Sequence, residues 1–262
     1  MSIIRNLPIE EYHRHDAVSK SGLDKIHRSI ADYQHAKENP YDPSASMVVG
    51  SALHDLVLQP ELFHDKFALY EETSRRYGKT YDAWRAAHPG VTALSASEME
   101  GVLRMAEKVA AHPIASEVLS DGEPEVSLFW TDADTGVECR CRPDWLRSDN
   151  VGVDLKTARG ADFRGFQRSV AQYRYHVQAA FYGDGIAEVL EQPLDHFLFV
   201  VVESDAPYNV AVYELDAEAI EQGRRAYKED LLRYRDWKAG VDTWTGYPLE
   251  ILTMPLPGWA KE

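Results

Sequence analysis

Cysteine is nearly absent from this sequence, which has only Cys139 and Cys141 among its 262 residues. One residue separates them, so in a strand both side chains lie on the same face, and neighbours of that kind do not form an ordinary disulfide. An iron–sulfur cluster needs more thiolate ligands than two cysteines supply. The sequence therefore predicts a reduced, cytoplasmic protein with neither a disulfide nor a cluster.

Long apolar runs are also missing. No stretch reaches the length of a transmembrane helix, and the opening residues Met1-Ser-Ile-Ile-Arg5 are not a basic-then-apolar signal peptide. Internal repeats and low-complexity segments are not found either. We expect a protein that is not inserted in a membrane.

Positive charge is scarce, with 28 basic residues against 43 acidic residues and a net charge of −15. A simple nucleic-acid-binding domain would be basic. The local potential in a cleft nevertheless decides what binds there. The basic residues cluster in three groups, namely Arg75, Arg76 and Lys79; Arg140, Arg142 and Arg147; and Arg159, Arg164, Arg168 and Arg174. Net charge therefore does not exclude a nucleic-acid ligand.

The length and composition are those of an ordinary globular protein, with 44% hydrophobic and 11% aromatic residues. This length suffices for one large domain or two small ones, and we expect a single domain over residues 1–262. Its parts are a mostly helical segment 1–120 with a mobile, lid-like loop at 70–93, a sheet and helix at 121–215, and a C-terminal helix and tail at 216–262.

Hydrophobic periodicity predicts an α/β (α+β) arrangement. Helices are expected from Ser19 or Ser21 towards Ala36, over 45–58, from a Ser97–Glu100 capping box to about Ala111, over 162–190 and over 216–239. Strands are expected at 125–131, 137–146 and 151–156, joined as a meander, and at 194–202 and 209–215. The segment 151–156 carries polar residues between apolar ones, and it lies at the centre of the functional prediction.

Two carboxylates and a lysine meet on this predicted meander. Asp154 and Lys156 stand two residues apart on a strand, so they point to the same face, while Leu155 turns into the core. Asp144, at the end of the preceding strand, can lie beside them. The alternative is a surface ion pair on an edge strand, but the apolar flanks predict a buried strand, where charges need a partner such as a metal. The pattern predicts a hard-cation site with a basic group next to it.

Two further features lie on predicted helices. His54 stands among small and aliphatic residues, where a histidine is more often a satisfied core residue than a metal ligand. Tyr175, Gln178 and Tyr182 are spaced i, i+3 and i+7, so they line one helix face. A tyrosine on such a face can equally pack its ring on the sheet.

These strings together resemble the PD-(D/E)XK nuclease superfamily, in its RecB-like branch, and more closely the nuclease domain of the exonuclease VIII (RecE) family. The resemblance runs from about Tyr12 to the C-terminus. Pro143-Asp144 followed by Asp154-Leu-Lys156 is a weak signal alone, but the strings in order are specific. They are Gly50-Ser-Ala-Leu-His54-Asp, Cys139-Arg-Cys-Arg-Pro-Asp144, Asp154-Leu-Lys-Thr157, Tyr173-Arg-Tyr-His-Val-Gln178-Ala-Ala-Phe-Tyr182 and Trp259-Ala-Lys-Glu262.

The resemblance implies a restriction-endonuclease-like core, a central mixed sheet flanked by helices with an N-terminal helical region. It implies a Mg²⁺ site, at which Mn²⁺ substitutes. The implied metal ligands are His54, Asp144, Asp154 and the backbone carbonyl of Leu155. Implied catalytic roles fall on Lys156, Asp144, Asp154 and Glu125, and implied substrate contacts on Gln178, Tyr182, Tyr175, Arg75, Arg76, Arg159 and Arg164.

The resemblance also implies a function. It is that of a processive exonuclease that degrades the 5′ strand of linear double-stranded DNA and leaves a 3′ tail for a single-strand annealing recombinase. It further implies a ring-shaped homotetramer and a phage or prophage protein acting in the bacterial cytoplasm. Three alternatives stay open: another end-processing nuclease or endonuclease of this superfamily, a DNA-end-binding protein without catalysis, and a hydrolase of small phosphates.

Overall fold

Helices fill the first part of the chain, and strands become frequent after about residue 120. The structure is a computed structural model that describes residues 1–39, 42–71 and 76–256. The helices are α1 (Ile9–Arg14), α2 (Lys20–Arg28), α3 (Ile30–Glu38), α4 (Ala45–Leu58), α5 (Pro60–Lys66), α6 (Lys79–Ala87), α7 (Ala96–Ala111), α8 (Pro113–Val118), α9 (Phe163–Gln172), α10 (Tyr175–Leu190) and α11 (Ala217–Lys238). Among the described residues, no helix combines the length and apolar character that crossing a membrane requires.

The strands form three sheets within the described ranges. They are β1 (Ser2–Ile4), β2 (Phe67–Leu69), β3 (Thr92–Leu94), β4 (Gly122–Pro124), β5 (Ser127–Thr131), β6 (Glu138–Cys141), β7 (Trp145–Arg147), β8 (Val151–Ala158), β9 (His196–Glu203) and β10 (Val210–Glu214). The central sheet has the order β10-β9-β8-β7-β4, a smaller one has β1-β5-β6, and β2 pairs with β3. In the central sheet β8 and β9 are parallel and the other neighbours antiparallel. The predicted mixed sheet flanked by helices is confirmed.

The predicted three-strand meander is wrong in one respect, because segment 137–146 is two strands in two sheets. β6 belongs to the smaller sheet and β7 to the central one. The break falls at Pro143, which has no N–H for a strand ladder. The chain also passes between these two sheets at Glu125, which lies between β4 and β5 in a left-handed conformation with φ 53°. The Glu125 N–H donates to the Asp144 carbonyl over 3.1 Å, and this hydrogen bond joins the two segments that connect the sheets.

The predicted helix 162–190 is also interrupted. Arg174 has φ 54°, and this left-handed residue separates α9 from α10. Its guanidinium pairs with Asp24 at 3.2 Å and with Asp230 at 2.6 Å. Long-range ion pairs of this kind are not visible in the local sequence, so the hydrophobic periodicity missed the break.

Two other helices differ from the sequence prediction. α7 begins at Ala96, and its capping box is Ser95 with Glu98, two residues before the predicted pair. The expected loop at 70–93 contains α6, which has no buried residue.

Helices cover both faces of the central sheet. Val151, Val153 and Leu155 of β8 pack with α4 and α7 on one face. Residues of the opposite parity on β8 face α10, which packs in turn against α11. Asp154 and Lys156 therefore lie on the α10 face and Leu155 in the core, as the strand alternation predicts.

Candidate active site

The site forms where β7 ends beside β8. Their pairing stops at Trp145 opposite Val153, so no strand of the described residues pairs with Leu155 on that side. Two side chains bond to its backbone instead. Its N–H donates to Oδ2 of Asp144 over 2.7 Å, and its carbonyl accepts a hydrogen bond from Nε2 of His54 over 2.6 Å. The early end of β7 thus brings a carboxylate and an imidazole to the middle of β8.

The orientation of His54 leaves one ring nitrogen for a ligand. A carbonyl oxygen can only accept, so Nε2 carries the proton and Nδ1 of the neutral ring has the lone pair. Nδ1 lies 3.4 Å from Oδ2 of Asp144. Burial lowers the pKa of His54 and keeps the ring neutral, although nearby Asp154 acts in the opposite direction. A lone pair facing a carboxylate oxygen is an arrangement that a cation stabilises.

Glu125 completes a group of possible metal ligands. One ligand atom each from His54, Glu125 and Asp144 lies within 4.8 Å of the others. Burial, together with Asp154 and Glu125, raises the pKa of Asp144 well above its usual value. Burial also raises the pKa of Glu125 to about 7, although Arg142, 3.7 Å away, opposes the rise. Crowded carboxylates beside an imidazole nitrogen fit a divalent cation such as Mg²⁺ or Mn²⁺.

Asp154 lies beside this group but has other partners. It is 1% exposed, and its Oδ1 is 2.6 Å from Nζ of Lys156 and accepts a hydrogen bond from Nε2 of Gln178 over 2.7 Å. Burial lowers the pKa of Lys156, but Asp154 and Asp144 outweigh it, so the net shift is upward. The lysine therefore stays charged next to the carboxylates.

The structure brings most of the sequence-predicted site residues together. Of the predicted metal ligands, His54 contacts both Asp144 and the Leu155 carbonyl, whereas Asp154 is held by Lys156 and Gln178. Glu125, for which the resemblance implies a catalytic role, lies within the group of possible ligands. An open cavity of about 640 Å³ adjoins this group and is lined by His54, Glu125 and Arg142, among others.

The two predicted tyrosines differ in their surroundings. The Tyr175 ring lies 4.8 Å from Nζ of Lys156. Tyr182 is half-buried, and its ring packs edge-on against Phe197 with centroids 5.8 Å apart. This packing matches the alternative in which the ring covers the sheet. Burial raises the pKa of Tyr182 well above its usual value, with smaller contributions that include Asp154 and Asp144. A phosphate contact by Tyr182 stays a prediction.

Several residues of the basic clusters, among them the predicted DNA contact Arg76, are used inside the protein. Arg76 pairs with Glu98 of the α7 capping box. Arg140 and Arg142 are buried and donate to backbone carbonyls of the N-terminal segment, including that of Tyr12. Arg174 holds the α9–α10 turn. Arg75 lies outside the described residues, as does the closing string Trp259–Glu262.

Three other arginines are free of such pairs. Arg159, Arg164 and Arg168 are exposed, and their side chains form no hydrogen bond or ion pair within the part of the chain that the structure describes. They lie just after β8 and on α9, close in sequence to Lys156. These side chains are available to an anionic ligand.

Sequence reasoning missed Lys20. Its ammonium lies 5.7 Å from the centroid of the same Tyr175 ring that Lys156 contacts. Lys20 and Tyr175 are distant in sequence, and a lysine at the start of a helix carries no signal of its own. Only the fold brings it to this site.

Comparisons with known proteins give a family match for this chain and similar solved structures. Residues 19–244 match a family described as a PDDEXK-like domain of unknown function (DUF3799). No curated protein matches the chain. The fold is similar to that of a candidate exonuclease from Eubacterium rectale, with a TM-score of 0.69, 14% identity and 97% of each chain covered. A phage-related exonuclease from Haemophilus somnus 129PT matches with 13% identity and a TM-score of 0.38, over 88% of this chain and 99% of that one.

The family match covers most of the chain and includes all of Asp144, Asp154 and Lys156. It confirms the resemblance to the PD-(D/E)XK superfamily, and the first of these two solved structures has a similar fold. The chain therefore belongs to the PDDEXK-like family DUF3799.

Proposed function

We propose that this protein is a metal-dependent exodeoxyribonuclease that degrades the 5′ strand of linear double-stranded DNA processively and leaves 3′ single-stranded tails. One observation carries the proposal. His54, Glu125 and Asp144 converge next to the Asp154–Lys156 pair in a chain of the PDDEXK-like family. The resemblance to the RecE family supports the polarity and the supply of tails to an annealing recombinase.

The donor set suits a hard cation. Nδ1 of His54, the carboxylates of Asp144 and Glu125, Oδ2 of Asp154 and the Leu155 carbonyl would hold Mg²⁺, or Mn²⁺ in its place. When bound, the cation neutralises charge on the phosphate and lowers the pKa of an attacking water. The hydrogen bond from the Leu155 N–H to Asp144 fixes that carboxylate in place.

Lys156 supplies a positive charge at the reacting phosphate. Its ammonium orients the attacking water or stabilises the extra negative charge of the pentacovalent transition state. The hydrogen bond from Gln178 holds Asp154, and Asp154 in turn holds the ammonium. Gln178 thereby acts through Asp154, and Tyr182 on the same helix is proposed to contact the neighbouring phosphate.

DNA would reach the site past the unpaired arginines. Arg159, Arg164 and Arg168 are suited to phosphate contacts, which position a strand without reading its sequence. The net charge of −15 then has a physical interpretation, since a ring with basic residues inside and acidic residues outside holds DNA in its channel and repels it elsewhere. We propose such a homotetramer on the basis of the RecE resemblance, acting in the bacterial cytoplasm as a phage or prophage protein.

Digestion of end-labelled linear duplexes tests the proposal. With Mg²⁺ we expect label at the 5′ end to be released early and label at the 3′ end to be retained. Asp154→Ala serves as the inactive reference. Early release of 3′ label would reverse the polarity, and cleavage of a closed circular duplex would identify an endonuclease. Unchanged digestion by Asp154→Ala would refute the catalytic assignment.

A further inference from the structure

Lys20, the first residue of α2, is a nearly buried lysine beside the candidate active site. Its side chain is only 12% exposed. Lysine is almost never buried without partners, because its ammonium loses strong hydration there. The partners of this ammonium therefore indicate what the residue does.

The Lys20 ammonium has two hydrogen-bond acceptors and one aromatic ring around it. Nζ lies 2.7 Å from the Tyr173 carbonyl oxygen and 2.7 Å from Oδ2 of Asp24, so two of its three N–H groups are engaged. The centre of the Tyr175 ring is 5.7 Å from Nζ, within the range of a cation–π contact. Because the side chain is largely buried and held by these partners, the geometry favours an internal role over a direct DNA contact.

The Tyr175 ring connects Lys20 with Lys156. Nζ of Lys156 is 4.8 Å from the ring centre, so one aromatic ring contacts two ammonium groups. Phe166 and Phe199 stack against the same ring, with centroids 5.9 and 5.7 Å away. The ring thus has a fixed place between the aromatic core and the two lysines.

The turn that presents Tyr175 depends on contacts from α2. Tyr175 is the first residue of α10, which begins without a side-chain cap after the left-handed Arg174. Asp24 holds this turn with both oxygens, Oδ1 on Arg174 and Oδ2 on Lys20. Lys20 adds the hydrogen bond to the Tyr173 carbonyl. Without it, the Tyr173 carbonyl loses its hydrogen bond to α2, and the turn that carries the Tyr175 ring relies on the contacts of Arg174.

We propose that Lys20 is a positioning residue that fixes the Tyr173–Tyr175 turn and, through the Tyr175 ring, the ammonium of Lys156. This inference rests on the proposed nuclease function, in which Lys156 contacts the reacting phosphate. A displacement of about 1 Å at a reacting group can cost up to about 100-fold in rate, so a residue that only holds Lys156 in place still affects turnover.

Steady-state digestion of a linear duplex by Lys20→Met and Lys20→Arg tests the proposal. We expect Lys20→Met to lower kcat about 10-fold and to change KM less than about 2-fold, because only the placement of Lys156 is affected. Lys20→Arg restores kcat, since a guanidinium can bond Asp24 and the carbonyl and stack on the ring. Lys25→Met is the matched control and should keep wild-type kcat, because among the described residues the Lys25 ammonium donates only to the Ser21 carbonyl of its own helix.

A double variant tests whether the two residues act in one chain of contacts. Tyr175→Leu removes the ring through which Lys20 acts. The Lys20→Met/Tyr175→Leu enzyme should therefore be no slower than the slower single variant, whereas independent effects would multiply. A crystal structure of Lys20→Met adds a readout that needs no activity, and we expect Nζ of Lys156 to leave the ring.

Each other outcome overturns the inference in a distinct way. A raised KM with unchanged kcat would make Lys20 a DNA contact. A lower melting temperature with unchanged kcat would make it a purely structural residue. Lys156 still in place on the ring in the Lys20→Met crystal would also refute positioning. If the wild-type protein shows no Mg²⁺-dependent digestion, the proposed nuclease function fails, while the Lys20→Met crystal structure still decides the contact itself.

Discussion

At the scale of single residues, the carboxylate of Asp144 suits metal binding, but its charge destabilises the metal-free folded protein. No lysine or arginine among the described residues pairs with it, and Asp154 and Glu125 lie near it, so its ionised form is disfavoured in the metal-free protein. A bound cation would offset the charge repulsion among these carboxylates. The residue therefore contributes to folding only when the site is loaded or when the carboxyl group is protonated.

Asp144→Asn separates these effects. Asn can still accept the hydrogen bond from the Leu155 N–H, but it removes the charge repulsion and a metal ligand. We expect nuclease activity to fall at least about 100-fold, the melting temperature without metal to rise by about 2 °C, and Mg²⁺ to cause no further rise. Thermal unfolding and digestion assays measure all three.

The control for this variant is Asp149→Asn, which removes an exposed carboxylate paired with Arg147 at 2.8 Å, away from the site. Such surface changes usually stay within about 0.5 kcal/mol, so activity and Mg²⁺ response should be retained. A metal-free Asp144→Asn protein that is clearly less stable than wild type would contradict the repulsion described for this carboxylate.

The raised pKa of Glu125 predicts how metal binding depends on pH. Its pKa is about 7 in the folded protein against 4.5 ordinarily, so the folded protein holds this proton more tightly than the unfolded chain does. The resulting stabilisation of the metal-free protein is complete below pH 4.5 and is lost as pH rises through about 7. A cation needs the ionised carboxylates, so it competes with this proton.

We therefore expect Mg²⁺ at about 100 times its Kd to raise the melting temperature by about 5–10 °C at pH 8 and only slightly at pH 5.5. Thermal unfolding with and without Mg²⁺ over this pH range measures the effect. In Glu125→Gln the part of the pH dependence centred near 7 should disappear. A Mg²⁺ effect that is equal at both pH values would exclude Glu125 and Asp144 as ligands.

At the scale of elements, the sequence could predict what depends on local pattern. The strand alternation places Asp154 and Lys156 on one face and Leu155 in the core, and both are confirmed. The breaks at Pro143 and Arg174 were missed, because they depend on which sheet a segment joins and on ion pairs with distant residues. The proximity of His54 to Asp144 followed from the family resemblance alone, since it results from α4 packing beside β8.

The close crossing of α10 and α11 depends on Gly223. A Cβ at this position would overlap the backbone carbonyl oxygen of His176 in α10, and backbone cannot move aside as a flexible side chain can. We expect Gly223→Ala to lower the free energy of unfolding by about 2–3 kcal/mol, the usual cost of overpacking, as measured by denaturant titration. A displacement of α11 should also loosen the turn at Arg174, because Asp230 of α11 pairs with the Arg174 guanidinium.

Gly101 provides the matched control on another helix. It lies within α7, and a Cβ there would have no atom within 4 Å. Gly101→Ala should therefore raise the free energy of unfolding by about 0.5–1 kcal/mol, because alanine favours the helix. Opposite signs for the two substitutions, with the larger effect at Gly223, would support the helix crossing, whereas a neutral Gly223→Ala would contradict it.

At the scale of the whole molecule, the arrangement of charge matters more than its sum. The chain carries a net charge of −15, and many of its arginines are engaged in internal pairs. Arg164 and Arg168 differ, because they lie exposed on α9, a helix without an acidic residue, and form no pair with the described residues. A duplex approaching an acidic protein is repelled except near such a surface.

Salt dependence of DNA binding tests this arrangement. The affinity of the protein for a linear duplex would be measured with Ca²⁺ in place of Mg²⁺, so that binding is followed without cleavage. Each phosphate contact adds about 1 to the slope of log affinity against log salt concentration, so Arg164→Gln/Arg168→Gln should reduce that slope by about 2. The control Arg225→Gln changes an exposed arginine on α11 that is paired with Glu221 at 3.7 Å, and it should leave the slope unchanged. Equal slopes for all three proteins would mean that DNA does not pass over α9, and the path of the strand to Lys156 would have to lie elsewhere.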